Sequence, residues 1–243
     1  MALSRRASKR SLKSMANEII AYLDMCAREK VNLQRGMNFG LGNNHSVILM
    51  SLLANAPYDD RLEEEGAAVI YEGHDALRTK DGPDPKTVDQ PEFSENGRLT
   101  QNGRFHKAAQ EFKAGRRSPE RVRIYEKLRQ GVWSYNGVFH LVDSWREMSN
   151  GRNVFKFRLA AVEGEEDFDV PPPRESTRRR VIPTPIKLEV WKRDGGKCVM
   201  CGATDELHFD HILPFSRGGT SMVSGNVQLL CARHNIAKRD RIE

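Results

Sequence analysis

Three cysteines and one histidine near the end of the chain are spaced as two close pairs. Cys198 and Cys201 form a CxxC pair, and Cys231 and His234 form a CxxH pair after 29 intervening residues. Each pair can bind the same ion, and four sulfur and nitrogen ligands with no open position are typical of structural zinc. Three clustered cysteines cannot close into even disulfides, and no apolar secretion signal precedes them. The spacing therefore predicts a structural zinc site.

Other interpretations of these residues remain open. His208 is an alternative fourth ligand, although Cys231 and His234 are preferred because they are spaced as a pair. The cysteines could also be buried without a metal, or the CxxC pair could be a redox pair. No βαβ pattern surrounds the pair, which disfavours redox chemistry. A module of about 60 residues has a small core, so bound metal would contribute to its folding.

Between and after the two pairs lie residues suited to phosphodiester hydrolysis, which needs a base for water and a cation for the developing charge. His211 can deprotonate water near neutral pH. Asp210 and Asn235 offer oxygen ligands to a hard divalent cation such as Mg²⁺ or Mn²⁺. Basic side chains in the same segment could hold phosphates: Arg217, Lys238, Arg239 and Arg241.

The segment from about Lys187 to Arg241 resembles the HNH, or ββα-metal, endonucleases. The resemblance rests on DHILPFSRGGT, then NVQLLC, then HN followed by a lysine. It implies that His211 is the general base, that Asp210 and Asn235 bind the catalytic cation, and that Asn226 orients the loop carrying the histidine. The third letter of the family name is usually His and here is Asn235, a departure that bears on metal preference. The implied activity is a Mg²⁺- or Mn²⁺-dependent DNA endonuclease.

Changes in composition divide the chain into four parts. Residues 1–35 are basic and carry a helical pattern in which Ile19, Ile20, Leu23 and Met25 share a face. Residues 36–162 are rich in strand patterns, and residues 163–185 form an acidic, Pro-rich and Arg-rich stretch that predicts a flexible linker. Residues 186–243 then follow the order β-β-α.

Local patterns predict the individual elements. A hairpin is expected at Asn136-Gly137 inside the apolar run Val132–Trp145. Helical or mixed structure is expected over Arg104–Lys113 and Pro119–Arg129. In the C-terminal part we expect further elements: a helix over Pro185–Asp194, strands around Leu207–Ile212, and a helix near Val227–Lys238 that Asn226 opens.

Residues 36–162 resemble the SRA (SET-and-RING-associated, YDG) family. The resemblance rests on APYDD with AAVIYEGHD, on DQPEFSENGRLTQNGRFHKAA, and on GVWSYNGVFHLVDSWREMSNGRNVFKFRL, in which YNG stands for YDG. It implies an α+β chain: a β-rich SRA/PUA-like barrel followed by a small ββα-metal HNH domain with structural zinc. The resemblance also implies binding of double-stranded DNA that carries 5-methylcytosine or 5-hydroxymethylcytosine, with the modified base flipped into a pocket.

A flipped cytosine needs stacking faces and groups that read its hydrogen-bonding edge. By the resemblance, Tyr58 and Tyr71 sandwich the ring, and Asp60 or Asp59 accepts from the exocyclic amine. Glu72 follows Tyr71 in the same pocket segment, where the family often has a small hydroxyl residue. The alternative for two tyrosines near strands is ordinary core packing.

Charge and composition agree with a DNA partner. Lys and Arg exceed Asp and Glu by 39 to 33, a net charge of +6, and no apolar run is long enough to span a membrane. The composition predicts a cytoplasmic protein, and the two resemblances together imply a modification-dependent restriction endonuclease. The alternatives are an HNH DNase whose N-terminal domain reads unmodified sequence or another mark, and a non-catalytic DNA-binding protein. Because one HNH site cuts one strand, a homodimer is expected, with the apolar face of residues 16–25 as its contact.

Overall fold

A mixed β-sheet runs through both halves of the chain. The computed structural model describes residues 16–41, 45–162, 181–214 and 217–238. Within these ranges the sheet has ten strands and is accompanied by four α-helices. In chain order the elements are β1 Glu18–Ala21, α1 Tyr22–Glu29, β2 Met37–Leu41, β3 His45–Met50, β4 Arg61–Glu63, β5 Ala68–Glu72, α2 Gln101–Lys113, β6 Glu120–Arg129, β7 Val132–Ser149, β8 Arg152–Ala161, α3 Thr184–Arg193, β9 Leu207–His211, β10 Val227–Cys231 and α4 Ala232–Lys238.

Strand β7 is the centre of the sheet. One of its edges pairs with β6, and β6 continues the sheet through a parallel pairing with β3 and then to β2. The other edge pairs first with β1 and then with β8, which leads to β5 and β4. One hydrophobic core takes side chains from β2, β3, β5, β6, β7, β8 and α2. The α+β class is therefore confirmed, with the sheet wrapped around a core that α2 covers.

Helix α2 confirms the helix expected over Arg104–Lys113. It begins after Thr100, whose hydroxyl accepts a hydrogen bond from the Gly103 amide at 3.2 Å, as expected for an N-cap. Phe105, Ala108 and Ala109 are fully buried on one face, which places the helix against the core of the sheet.

The amino-terminal helix was predicted too long. Ile19 and Ile20 lie in strand β1, and the helix occupies only Tyr22–Glu29. The physical reason is long-range pairing, because Glu18 is in register with both Tyr135 of β7 and His208 of β9. The predicted dimer face of residues 16–25 is also wrong: Ile20 and Met25 are buried inside the chain, and Leu23 is the exposed apolar side chain of that pattern. Residues 1–15 of the predicted segment lie outside the described residues.

The hairpin expected at Asn136-Gly137 is instead a bulge within β7. Ile124 pairs with Gly137 and Tyr125 with Tyr135, so Asn136 is the extra residue. Gly137 has a positive φ of 100°, which explains the glycine at this position. The partner segment Pro119–Arg129, expected to be helical or mixed, is strand β6 over most of its length.

The C-terminal part has the predicted β-β-α order with shifted boundaries. Helix α3 confirms the predicted short helix, and β9 pairs with β10 in antiparallel register. The helix predicted over Val227–Lys238 begins only at Ala232, because the apolar run Val227–Cys231 is the strand that pairs with β9. Asn226 ends a short 3₁₀ turn before β10 and does not open a helix.

The end of the predicted linker is packed structure. Val181 is buried and its amide donates to the Gly66 carbonyl at 2.8 Å, and Ile182 is fully buried. The rest of the predicted linker, residues 163–180, lies outside the described residues. Among the helices that the structure describes, none has the length and apolar character needed to cross a membrane.

Candidate functional site

The four predicted zinc ligands meet at one point. The ligand atoms of Cys198, Cys201, Cys231 and His234 all lie within 4.8 Å of one another. His234 Nδ1 is 3.4 Å from the sulfurs of both Cys198 and Cys231, and the Cys201 and Cys231 sulfurs are 3.9 Å apart. With Zn–S near 2.3 Å and Zn–N near 2.0 Å, the ligands of a tetrahedral site lie about 3.5–3.8 Å apart. The cluster therefore fits zinc.

The backbone around the first cysteine pair supports the same conclusion. Gly202 has a positive φ of 74°, and its amide donates to the Cys198 carbonyl at 2.8 Å, which closes a tight turn. Burial opposes ionisation of Cys198, but the backbone amides of Cys231, Met200 and Cys201, with the His234 ring, lower its thiol pKa to about 6. The thiolate, the form that binds metal, is thus favoured at neutral pH. His208, the alternative ligand, lies outside this group, on β9 opposite Leu230.

Asn226 holds the loop that follows the predicted general base. Its side-chain oxygen accepts from the Leu213 amide at 2.8 Å, and its amide nitrogen donates to the carbonyls of Leu213 and Thr220 at 3.0 Å each. Gly219 packs so closely that a Cβ there would lie 1.8 Å from the Leu213 oxygen. Asn226 therefore joins the two ends of the loop between β9 and β10, as expected for an orienting residue.

His211 is the last residue of β9, within the range Leu207–Ile212 in which strands were expected. Its Nε2 lies 2.9 Å from the hydroxyl of Ser221, a buried residue that the sequence analysis missed. If Nε2 donates to Ser221, the lone pair is on Nδ1, which can accept a proton from water. Burial lowers the pKa of His211, which favours the neutral ring. The arrangement suits a general base.

Asp210 is held by neighbours on β10 and α4. Lys238 Nζ donates to Asp210 Oδ2 at 2.6 Å and also contacts the His211 carbonyl, and Gln228 donates to the same Oδ2 at 3.3 Å. Both contacts use Oδ2. Lys238, predicted to bind phosphate, is buried, and its ammonium points to Asp210 instead of the surface.

The remaining predicted residues of the nuclease site are only partly placed. Asn235 is half-buried on α4, three residues before Lys238, so the two lie on the same side of this helix. Arg217 is exposed in the loop between β9 and β10. Arg239 and Arg241 lie outside the described residues. The cation-binding and phosphate-binding roles therefore stay predictions.

A large cavity in the N-terminal half collects most of the predicted pocket residues. It has a volume of about 960 Å³ and is lined by Tyr58, Asp60 and Tyr71, among others. We call it the base cavity. Basic side chains also line it: Arg35, Arg78, Arg104 and Lys127. Its volume falls at the upper end of the range for small-molecule sites, and its charge suits a polyanion.

His74, which the sequence analysis did not select, lies between the two predicted stacking tyrosines. Its ring is parallel to that of Tyr58, with an interplanar angle of 8° and a centroid distance of 5.3 Å. Its Nε2 is 2.9 Å from the Tyr71 hydroxyl. Burial lowers the pKa of His74 to about 4, so the ring is neutral at pH 7. Tyr71 itself is only 1% exposed and belongs to the main core, so packing is part of its role.

The acidic residues of the predicted pocket separate into two groups. Asp60 lines the base cavity and accepts from the amides of Glu72 at 3.0 Å and Ser51 at 3.3 Å, and burial raises its pKa to about 7. Asp59 and Glu72 instead pair with the buried Lys156, at 3.2 and 3.0 Å, and lie outside the base cavity. Of the alternatives Asp59 and Asp60, it is therefore Asp60 that lines the cavity.

Comparison with protein families identifies the C-terminal segment. Residues 198–241 match the HNH endonuclease family. The matched segment contains the four clustered metal ligands together with Asp210, His211, Asn226 and Asn235. This segment is therefore similar to HNH endonucleases, and we call residues 181–238, which contain its described part, the nuclease unit.

Solved structures of SRA domains and of proteins that contain them are similar to part of this chain. An SRA domain of SUVH5 bound to hemimethylated CG DNA has 18% identity and a TM-score of 0.44, over 65% of this chain and 94% of that one. The SUVH5 SRA domain bound to fully hydroxymethylated CG DNA has 18% identity and a TM-score of 0.40, over 62% and 90%. Arabidopsis thaliana SUVH6 with SAM has 18% identity and a TM-score of 0.39, over 63% and 27%. A search of the curated proteins finds no match.

Proposed function

We propose that the chain is a modification-dependent DNA endonuclease. Its N-terminal half, residues 36–162, which we call the reader unit, binds DNA containing 5-methylcytosine or 5-hydroxymethylcytosine and takes the modified base into the base cavity. Its nuclease unit then hydrolyses a phosphodiester bond. The observation that carries the proposal is one chain that combines an HNH domain with a basic cavity lined by Tyr58, Asp60 and His74.

The nuclease unit supplies the base and its positioning. Neutral His211 takes a proton from the attacking water at Nδ1, while Ser221 holds Nε2. Asn226 keeps the loop in the conformation that presents His211. These contacts preorganise the base before DNA binds, which is the arrangement that general-base catalysis requires.

Asp210 and Asn235 are the residues that would hold a Mg²⁺ or Mn²⁺ ion. Their carboxylate and amide oxygens suit a hard cation, and Asp210 Oδ2 is already fixed by Lys238 and Gln228. When bound, the ion would stabilise negative charge on the phosphate and on the leaving oxygen. The zinc cluster has no open position and contributes to folding only.

The base cavity offers the contacts that a flipped cytosine needs. The half-buried Tyr58 ring stacks on the neutral imidazole of His74, and the Lys86 ammonium lies 4.2 Å from its centroid. A flipped base would stack on Tyr58 by displacing one of these two neighbours. A carboxyl group with a pKa of about 7 is partly protonated at neutral pH. Asp60 can then accept from the amino group of cytosine in one form and donate to its ring nitrogen in the other. The cost of extruding the base, a few kcal/mol, is recovered in such contacts.

Two experiments test the two halves separately. Nicking of a supercoiled plasmid that carries 5-methylcytosine, in Mg²⁺ or Mn²⁺, by the wild type and by His211→Ala, tests the nuclease unit. Activity in the wild type alone supports it, and no nicking by either protein favours a non-catalytic DNA-binding protein. Binding of His211→Ala to matched duplexes with C or 5-methylcytosine tests the reader unit. Equal binding favours a nuclease that reads unmodified sequence or another mark.

We also propose a homodimer, because one base and one cation site cut one strand per engagement. A double-strand break then needs two protomers or two successive nicks. Sedimentation of the protein on DNA tests this point. A monomer that makes concerted double-strand breaks would refute it.

A further inference from the structure

The nuclease unit is packed directly against the reader unit. Strand β1 lies between β7 of the reader unit and β9 of the nuclease unit, and the Phe209 amide donates to the Asn17 carbonyl at 3.0 Å. A shared hydrophobic core lies beside this strand: Leu128 of β6 packs with Ile182, Val190, Phe209, Val227 and Leu229. The two units therefore share one sheet and one core.

A buried polar network crosses the same boundary. Lys187 of α3 donates to Glu126 Oε2 at 2.5 Å and to Asn136 Oδ1 at 2.7 Å. Asn136 donates back to Glu126 Oε2 at 2.8 Å, and the Thr184 hydroxyl contacts Glu126 Oε1. Lys187 and Glu126 are fully buried, and Asn136 and Thr184 are each 2% exposed. We call these four residues the coupling network.

The coupling network specifies an orientation more than it adds stability. A buried ion pair loses about as much in desolvation as it gains in attraction, but it tolerates only an arrangement in which every group is paired. Burial lowers the pKa of Lys187, whereas the Glu126 carboxylate raises it, so sliding α3 away would leave a buried charge without its partner. The bulge in β7 presents Asn136 to Lys187, so the irregularity has a role in this contact.

We propose that Lys187, with Glu126 and Asn136, is a positioning site that sets the distance between the base cavity and the scissile phosphate. The inference rests on the proposed function. The reader unit binds the modified base, and the coupling network fixes the distance from the base cavity to His211. The nuclease unit therefore cuts at only a few phosphate positions relative to the modified base. A nuclease on a free tether would cut over a broad range.

The test uses the full-length, zinc-loaded protein and a duplex with a single 5-methylcytosine. The ends produced by the wild type, Lys187→Met and Arg129→Gln are mapped on both strands by sequencing. Lys192→Met is the matched control, since it makes the same change at an exposed position of α3. Arg129 contacts the Trp191 ring across the boundary between the two units, with 5.4 Å from the guanidinium carbon to the ring centroid. Because Arg129 is exposed, we expect Arg129→Gln to fold. Hydrogen exchange at the β1–β9 junction is measured in parallel.

We expect Lys187→Met to widen the range of cut positions at least twofold and to speed exchange at the amide of Phe209. Arg129→Gln should give a smaller change in the same direction, and Lys192→Met none. An unchanged range of cut positions in folded Lys187→Met overturns the proposal, and so does faster exchange without a wider range. If Lys187→Met does not fold, an unchanged range in Arg129→Gln overturns it. Equal cutting of modified and unmodified DNA by the wild type refutes the proposed function instead. In that case the hydrogen exchange of Lys187→Met at the β1–β9 junction alone decides whether the coupling network holds the two units together.

Discussion

Tyr58→Ala should remove most of the preference for modified DNA. The Tyr58 ring lies parallel to His74 at 5.3 Å and lines the base cavity, but it is outside the main hydrophobic core. Loss of one stacking face forfeits about 1–3 kcal/mol, which corresponds to roughly a 5- to 150-fold loss of affinity for the flipped base. Unmodified DNA, which is held mainly through its phosphates, should bind almost as before.

The informative quantity is the ratio of dissociation constants for unmodified and 5-methylcytosine duplexes, measured at one salt concentration. Tyr58→Phe is the control, because it keeps the ring and should keep the ratio. Tyr71 needs a different change: it is 1% exposed in the core, so Tyr71→Ala would cost about 3–5 kcal/mol of folding stability. Tyr71→Phe removes only the hydroxyl that contacts His74. If Tyr58→Ala leaves the ratio unchanged, the base is read elsewhere.

The remaining predictions concern the metal cluster, the catalytic base and acid stability. Elemental analysis should find one zinc per chain, and Cys231→Ser should lose both the zinc and the cooperative unfolding of the nuclease unit; folded, active protein without zinc would contradict this. His211→Ala should cut at least about 10²–10⁴-fold more slowly while binding modified DNA normally, and Ser221→Ala should show a smaller loss of rate, so near wild-type cleavage by His211→Ala would rule out the mechanism. Burial opposes ionisation of Glu29, but His45, Tyr125 and Arg123 outweigh it and lower its pKa from 4.5 to about 2. This carboxylate therefore contributes about 3 kcal/mol to the free energy of unfolding, which is fully present above pH 4.5 and is lost as the pH falls towards 2. In denaturant titrations, the difference in unfolding free energy between wild type and Glu29→Gln should decrease over that pH range and not at pH 6–8.

Residues close together in sequence were predicted well. The four metal ligands come as two pairs, and each pair is positioned by its own turn, so spacing alone was enough to group them. The same holds for α3 and for the order of β9, β10 and α4. The placement of Asn226 against Leu213 and Thr220 also depends on a short loop, which the motif already implied.

Features set by distant pairing were not predictable from local patterns. Ile19 and Ile20 have a spacing that also fits a helix, and only β7 and β9, far along the chain, make that segment a strand. The Asn-Gly pair at 136–137 has the composition of a hairpin turn. In the structure the side-chain amide of Asn136 instead donates a hydrogen bond to Glu126 and accepts one from Lys187. A lysine is usually exposed, so Lys238 was expected at the surface. The packing of α4 on β9 places its ammonium against Asp210 instead.

The central claim, that one chain reads a modified cytosine and cuts the DNA that carries it, can be tested directly by digestion. Four duplexes of identical sequence, with a single C, 5-methylcytosine, 5-hydroxymethylcytosine or glucosylated hydroxymethylcytosine, are incubated with the protein in Mg²⁺ at one salt concentration. The account predicts cleavage of the methylated or hydroxymethylated duplex at a rate at least tenfold above that of the unmodified one. Equal cleavage of the unmodified and modified duplexes would contradict it.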